Sequence, residues 1–137
     1  MRIKQFEFAR LEYNESTNIL IYRVKQGIVV DVHEISEMLK YVEEFMGYVH
    51  HYAVIDFGDN LLSTTEARKA YALSSYIQKY RIADAFLVKS LAVRLVANFF
   101  INVTKPKIRT KLFTSEAQAL QWLENIEKAL PAQQKVD

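Results

Sequence analysis

The segment His51-Tyr52-Ala53-Val54-Ile55-Asp56-Phe57-Gly58 is an apolar run of strand-forming residues that ends near an acidic side chain. A run of this length and composition is typical of a buried β-strand. A loop at residues 59–62 follows it. Ser63-Thr64-Thr65-Glu66 then matches a capping box, in which Ser63 and Glu66 satisfy each other's backbone N–H groups at a helix start. The sequence here therefore predicts a strand that passes through a short loop into a capped helix.

The chain on both sides of this segment continues the alternation of strands and helices. The order is β-β-α-β-α-β-α-β-α, which predicts an α/β fold with an N-terminal hairpin and a mixed sheet whose parallel part is covered by about four helices. The flanking elements are predicted as strands at 3–13 and 19–24, a helix at 31–47, a helix from 63 to 80, a strand at 83–88, a helix from Ser90 to before Pro106, a strand at 107–113 and a last helix capped by Thr114.

The composition is that of one globular domain. The chain has 137 residues, half of them hydrophobic and a quarter charged, and its net charge of +2 is too balanced to predict nucleic-acid binding. It contains no Cys, which excludes disulfides, thiolate metal sites and a cysteine nucleophile. The N-terminus lacks the apolar core of a signal peptide, and the longest apolar run, 86–103, is interrupted by charged and amide residues. We therefore expect a cytoplasmic protein without stable membrane insertion.

Motifs of the common enzyme classes are missing from the sequence. It has no G-x-S-x-G, P-loop or G-x-G-x-x-G motif. His50 and His51 are adjacent in a strand and would point to opposite faces, so we expect no metal site. At the carboxyl ends of the parallel strands, where α/β proteins bind ligands, the sequence places Asp56, Asp59 and Lys89. An enzyme that uses Asp56 and Lys89 is the weaker interpretation, because caps and loop hydrogen bonds explain these residues more simply.

The third predicted helix has an unusual distribution of side chains. Apolar residues cover more than one of its faces, and Arg94, Asn98 and Asn102 form its only polar stripe, at intervals of four residues. Such a helix is buried on more than one side or docks on another molecule, so it predicts a self-association or partner surface. For Arg94 itself, a bond to the loop around Asp56 and Asp59 is preferred to ligand binding.

The last predicted strand has one basic face. Lys107, Arg109 and Lys111 alternate with apolar or hydroxyl side chains, and Lys105 precedes them. These charges could meet an acidic partner or a phosphate. We prefer the alternative that they protect an exposed edge strand, because charged side chains on an edge oppose pairing with the strand of another chain.

Several segments together resemble a known family. The strand ending in Val54-Ile55-Asp56 and the helix that follows it are similar to the STAS domain of anti-sigma-factor antagonists, and more closely to a branch of small STAS/SEC14-like (SpoIIAA-like) bacterial proteins of unassigned function. The resemblance covers about residues 18–126 and implies one STAS-like domain over residues 1–130, followed by a polar tail at 131–137. The segments that carry it are Glu66-Ala67-Arg68, residues 83–88, residues 94–100, Lys111-Leu112-Phe113 and residues 119–123.

The resemblance also implies a candidate modification site. In antagonists of this kind, an Asp-Ser-Ser-Gly motif at a helix start carries a phosphorylated serine. The matching residues here are Ser63, Thr64, Thr65 and Glu66, which puts Thr65 at the phosphoacceptor position. The residues differ from the motif, and Glu66 would place a negative charge beside a phosphate. Thr65 or Thr64 is thus a candidate phosphoacceptor, while a helix cap alone is the preferred interpretation.

The expected function is that of a non-enzymatic regulatory or protein-interaction module, acting as a homodimer or with a protein partner and without a cofactor. The alternative is a carrier or sensor of a small apolar, lipid-like ligand, as the SEC14-like side of the resemblance implies, with a pocket formed by Tyr71, Tyr76 and Phe99. The candidate partner-binding or phosphoacceptor residues are Asp56, Asp59, Ser63, Thr64, Thr65, Arg94 and Asn98.

Overall fold

The computed structural model describes residues 1–58 and 63–130, apart from the side chains at positions 93, 96, 99, 100, 103 and 104. The predicted tail at 131–137 lies outside these residues. The strands and helices alternate along the described chain, as the sequence predicts. They are β1 (Arg2–Gln5), β2 (Ala9–Asn14), β3 (Ile19–Val24), α1 (Val32–Met46), β4 (His51–Gly58), α2 (Thr65–Ala72), α3 (Ser75–Tyr80), β5 (Arg81–Val88), α4 (Leu91–Thr104), β6 (Arg109–Phe113) and α5 (Glu116–Ala129).

The strands form one mixed sheet in the order β1-β2-β3-β4-β5-β6. The first three strands pair antiparallel, and β3 to β6 pair parallel. Parallel neighbours need a crossover connection, and α1, α2 with α3, and α4 supply the three that this sheet requires. The predicted hairpin, the α/β class and the mixed sheet are therefore confirmed, with β4 between β3 and β5 in the parallel part.

Two predicted elements are each divided into two. The predicted strand at 3–13 becomes β1 and β2, because the chain turns between them and the Phe6 N–H donates to the Ala9 carbonyl at 3.0 Å. The predicted helix from 63 to 80 becomes α2 and α3. Leu73 closes α2, and the Ser74 side chain then begins α3 by accepting the N–H of Ile77. Five helices instead of about four are therefore present within the described residues.

Polar side chains and a glycine set the helix limits. Asp31 forms a capping box with Glu34 at the start of α1, and Gly47, with a φ of 62°, closes that helix in a conformation that glycine adopts without strain. The Ser115 hydroxyl accepts the N–H three residues further on and caps α5. The prediction of Thr114 as this cap is therefore wrong by one residue.

Helices cover both faces of the sheet, and each face has its own core. Ala53 and Ile55 of β4 belong to the core under α1, α2 and α4, whereas Tyr52 and Val54 belong to the core under α5. Alternate side chains of one strand thus point to opposite faces of the sheet, as the pleat of a strand requires. Within residues 1–58 and 63–130, no helix has both the length and the apolar character that a membrane crossing needs.

β6 forms one edge of the sheet, and the basic residues Arg109 and Lys111 are exposed on it. The expected edge position is confirmed, although the strand begins at Arg109 and not at Lys107. Charges on such an edge oppose pairing with another chain. An acidic partner for this basic face stays a prediction.

Candidate functional site

The strands β3 to β6 all end at one side of the sheet, called the carboxyl edge below. Arg23 and Asp56 lie there, paired across β3 and β4, and α4 begins just after β5. Asp59 comes next after β4 in the sequence, but it lies outside the described residues. The carboxyl edge therefore brings together the end of β4, the start of α2 and the first turns of α4 and α5.

Asp56 is bonded on both of its carboxylate oxygens. Oδ2 lies 3.0 Å from Nη1 of Arg23, the residue opposite it in the register of β3 and β4. Oδ1 accepts the Gly58 N–H at 3.0 Å. The guanidinium beside Asp56 is thus that of Arg23 and not that of Arg94. A bond from Arg94 to Asp59 stays a prediction, because Asp59 lies outside the described residues. Among the described side chains, no ion pair joins Asp56 to Lys89, the other residue of the enzyme alternative.

Arg23 also binds two further carboxylates. Its Nε lies 3.0 Å from Glu12 Oε2, and its Nη1 lies 2.7 Å from Glu116 Oε1. The hydrogen bond to Glu116 and that to Glu12 raise the pKa of Arg23, and Arg23 in turn lowers the pKa of Glu116. Arg23 thereby ties β2, β3, β4 and the first turn of α5 together. The sequence did not predict these contacts, because they depend on strand register and on residues far apart in the chain.

The start of α2 differs from the predicted capping box. The Thr64 hydroxyl accepts the N–H three residues further on at 3.1 Å and donates to Asp31 Oδ1 at 2.8 Å. Ser63 instead forms a parallel β-bridge with Val30, and the Thr64 N–H donates to the Val30 carbonyl at 3.0 Å. This bridge holds Ser63 in extended backbone before the helix. The predicted Ser63–Glu66 box is therefore wrong by one residue, and Thr64 is the cap.

Ser63 and Thr65 lie around one guanidinium. Arg68 Nη1 donates to Ser63 Oγ at 2.9 Å, and its Nη2 donates to Thr65 Oγ1 at 3.2 Å. Thr65 is exposed, whereas the Thr64 hydroxyl is engaged in the cap. A phosphate on Thr65 would lie beside a group that binds phosphate well, while one on Thr64 would disrupt the cap. Phosphorylation at either position stays a prediction.

Arg94 and Asn98 line an open groove of about 490 Å³ at the carboxyl edge. We call it the α4 groove. It runs between α4, the end of β6 and the first turns of α5, and Lys111 also lines it. Leu91 and Leu95 stand on its α4 side with 67% and 64% of their surface exposed. The structure thus brings two predicted residues of the polar stripe together with a lysine of the basic strand.

The predicted ligand-pocket residues Tyr71 and Tyr76 both use their hydroxyls in hydrogen bonds. Tyr71 donates to Asp84 at 2.5 Å, and Tyr76 donates to the Gly47 carbonyl at 2.6 Å. The cavity beside Tyr71 has a volume of about 10 Å³, room for one water molecule, whereas small-molecule sites measure roughly 300–1,000 Å³. The side chain of Phe99 lies outside the description, so the complete predicted pocket stays a prediction.

A buried polar network lies at the opposite, amino-terminal ends of β4 and β5. The Arg81 side chain is fully buried, and its Nη1 lies 2.6 Å from Asp84 Oδ1. Arg81 also donates to His51 Nε2 at 3.1 Å and to the hydroxyls of Tyr22 and Tyr71 at 3.0 Å each. We call these five residues the Arg81 network.

The Arg81 network holds His51 in its neutral form. His51 Nδ1 lies 2.8 Å from the carbonyl of Val49, so this nitrogen carries the proton and Nε2 accepts from Arg81. Burial, and then the charge of Arg81, lower the pKa of His51 to about 3. At neutral pH the imidazole is therefore a hydrogen-bond acceptor for the Arg81 guanidinium.

A β-bulge explains why Arg81 and Asp84, three residues apart in one strand, lie on the same face. The pairing of β4 with β5 shifts at the first residues of these strands, which leaves Ile82 unopposed. One extra residue reverses the alternation of side chains that follows it. The sequence signal was Asp84 within an apolar strand, since a buried carboxylate needs a partner. The predicted strand began at Ala83 and so left Arg81 out.

The described residues show which chemistry the chain offers. All buried side-chain nitrogen and oxygen atoms within them have a hydrogen-bond partner, and no three His, Asp or Glu side chains there are placed to hold a metal ion. Arg94 and Asn98 are exposed polar side chains that line the concave surface of the α4 groove. These two side chains can therefore make hydrogen bonds to another molecule.

Comparisons with known proteins agree with the fold. A family model described as a domain of unknown function, DUF7793, matches residues 13–127 of the chain. No curated protein matches the sequence at a significant level. Among solved structures, the chain is similar to an uncharacterized protein of the DUF3478 family with a SpoIIAA-like fold from Shewanella loihica PV-4. The TM-score is 0.61 and the identity 14%, over 84% of this chain and 91% of that one. The predicted SpoIIAA-like fold is therefore confirmed.

Proposed function

Because the chain belongs to the DUF7793 family and has a SpoIIAA-like fold, we propose that it is a non-enzymatic protein-interaction module of the STAS-like type. Its docking surface is the α4 groove together with the exposed first turns of α4. In a regulatory role, the chain would bind a partner protein or a second copy of itself through this surface.

The observation that carries this proposal is the exposure of Leu91 and Leu95. Single exposed leucines are common on protein surfaces. These two are four residues apart, so they form one apolar patch on a helix, and they border a groove whose wall carries the polar Arg94 and Asn98. An apolar patch with a polar rim is typical of a protein–protein interaction site.

A carrier of a lipid-like ligand has weaker support. Such a ligand needs an enclosed apolar volume of several hundred Å³. The cavity beside Tyr71 holds about 10 Å³, and the α4 groove is open and lined by polar as well as apolar side chains. The described residues therefore favour a surface that contacts another macromolecule.

Site-specific crosslinking tests the proposal. A photo-reactive phenylalanine analogue replaces Leu95 in the full chain, expressed in its source organism. The matched control places it at Leu73, which is 73% exposed at the junction of α2 and α3. We expect a protein adduct from position 95, none from position 73, and loss of the adduct when Arg94→Glu is added.

The mass of the adduct identifies the occupant. A mass of twice the chain indicates a homodimer, and any other protein mass indicates a distinct partner. Equal adducts from positions 95 and 73, or no protein adduct at all, would contradict the proposal. A lipid-sized mass retained in native mass spectrometry, without a protein adduct, would favour the carrier instead. Both replaced side chains are exposed, so thermal unfolding should confirm that the variants remain folded.

A further inference from the structure

We propose that the α4 groove binds an acidic amphipathic segment of a distinct protein partner, with Arg94 and Lys111 contacting its carboxylates and Leu91 and Leu95 contacting its apolar side chains. This inference rests on the proposed function and adds the chemistry of the partner to it. It is carried by the charge of the groove, the absence of a carboxylate partner for that charge among the described residues, and the exposure of the two leucines.

The charged side chains that line the groove in the described part of the chain are all positive. Arg94 and Lys111 line it, and no acidic side chain does so among the described residues. The acidic residue at the start of α5, Glu116, is not among the lining residues, and its carboxylate lies 2.7 Å from Arg23, which it shares with Asp56 and Glu12. A concave surface with one sign of charge attracts groups of the opposite sign and raises the rate at which they associate.

The two basic side chains have no carboxylate partner in the described part of the chain. Arg81 and Arg23 differ in this respect, since the first is paired with Asp84 and the second with three carboxylates. Arg94 and Lys111 form no ion pair there. An arginine in this state can donate two parallel N–H bonds to an incoming carboxylate, which is the strongest contact that its side chain makes.

The leucines favour a macromolecular ligand over a small anion. A small molecule is usually held with 70–90% of its surface buried, roughly. Leu91 and Leu95 are more than half exposed and flank the groove without closing over it. They can therefore be covered only by a ligand that extends beyond the groove, such as a peptide segment with leucine-like side chains between its acidic residues.

A second copy of the chain fits less well. Acidic side chains are present on α1, at Glu37, Glu43 and Glu44, and on α5. Those of α5, Glu116, Glu124 and Glu127, already contact Arg23, Lys128 and Tyr52. Docking of α1 into the α4 groove of another copy would join two different surfaces. Unless both copies make this contact at once across a two-fold axis, contacts of that kind form rings or open chains and not a closed dimer. A distinct acidic partner can bind in the groove without any such requirement on how copies of the chain assemble.

Selection from a random peptide library tests the inference. Displayed sixteen-residue peptides are selected on the immobilised full chain. They are then measured against the double variant Arg94→Glu/Lys111→Glu and the control Lys40→Glu/Lys69→Glu, whose lysines are exposed on α1 and α2. Each replacement changes the charge by −2, so both double variants go from +2 to −2. We expect enriched peptides in which Asp or Glu alternates with Leu-like residues. Their affinity should fall roughly tenfold or more in the groove variant and less than about twofold in the control.

Several results would overturn the inference. Enrichment of neutral or basic peptides, equal losses in both double variants, or no enrichment over the empty support would each do so. A crosslinked dimer that disappears with Arg94→Glu would assign the groove to a second copy. If position 95 crosslinks to a distinct protein but the library returns no acidic peptides, the proposed function stands and the charge recognition fails. The neutral variant Arg94→Gln/Lys111→Gln gives the same comparison should the charge reversal unfold the chain.

Discussion

Arg81 and Asp84 lie three residues apart on β5 and form a 2.6 Å ion pair in which neither side chain is more than 1% exposed. The bulge at Ile82 places both on one face of the sheet. Two tyrosines and a histidine make further hydrogen bonds to the guanidinium, and one of these tyrosines also donates to the second carboxylate oxygen of Asp84. A buried pair of this kind is a weak source of net stability, yet it strongly penalises any state in which only one charge has its partner.

Arg81→Met should therefore lower the free energy of unfolding by about 3–5 kcal/mol, because Asp84 is left buried without its cation. Urea unfolding followed by circular dichroism measures this. The matched control is Lys128→Ala, which breaks the exposed pair with Glu124 and should change stability by less than about 0.5 kcal/mol. The double variant Arg81→Met/Asp84→Leu should recover much of the lost stability, because it leaves no buried charge without a partner. A single-variant loss below about 1 kcal/mol would contradict the buried pair.

His51 should remain neutral to well below physiological pH. Its pKa in the folded chain is lowered to about 3, from an ordinary value of 6.5. Between about pH 6.5 and 3 the unfolded chain therefore takes up a proton at His51 while the folded chain does not. The free energy of unfolding falls for this reason as the pH drops through that window. NMR of the imidazole nitrogens should show the Nδ1–H tautomer from pH 8 to pH 5. Titration of His51 near pH 6.5 would contradict this contact.

The sequence predicted those features that depend on local pattern. The apolar run at β4 predicted its buried strand, and the spacing of Arg94 and Asn98 predicted a polar stripe that the structure places in the α4 groove. Both follow from periodicity within one element. Lys111 joins them only because β6 ends beside α4, which no local pattern encodes.

The features that were not predicted depend on contacts between elements. The Arg81 network requires a bulge at Ile82, and the Arg23 ion pairs require the register of β2, β3 and β4. At the start of α2, Ser63 and Thr64 are both favourable cap residues, and propensity alone prefers Ser63. The bridge between Val30 and Ser63 decides in favour of Thr64. In each case a contact between distant residues selects one of several locally possible arrangements.

Thr64→Ala should lower the free energy of unfolding by about 1 kcal/mol. The Ala67 N–H would lose its acceptor, and the Asp31 carboxylate would lose a donor. Ser63→Ala is the matched control, because the predicted box would make it the damaging change. It should cost less than half as much. Chemical denaturation of the two variants and the parent chain decides between the two caps. A larger loss of unfolding free energy for Ser63→Ala than for Thr64→Ala would show that Ser63, with Glu66, caps the helix after all.

The Arg23–Glu116 contact should give stability that depends on pH. The hydrogen bond from Arg23 lowers the pKa of Glu116 below its ordinary value near 4.5. The stabilisation is therefore present above that value and is lost as the pH falls through the lower, folded pKa. Because Glu116 is partly exposed and its charge is screened by water, we expect Glu116→Gln to cost only about 0.2–1 kcal/mol at pH 7.

Denaturation of the parent chain and Glu116→Gln at pH 7 and at pH 2.5 measures this dependence, with Glu124→Gln as the control from the exposed pair on the same helix. The difference between the parent and Glu116→Gln should be present at pH 7, decline at pH 2.5 and shrink with added salt, because the ion pair is lost once the carboxylate is protonated. If the difference is the same at both pH values, the amide has disturbed the packing of α5 and the charge of Glu116 does not hold that helix to Arg23.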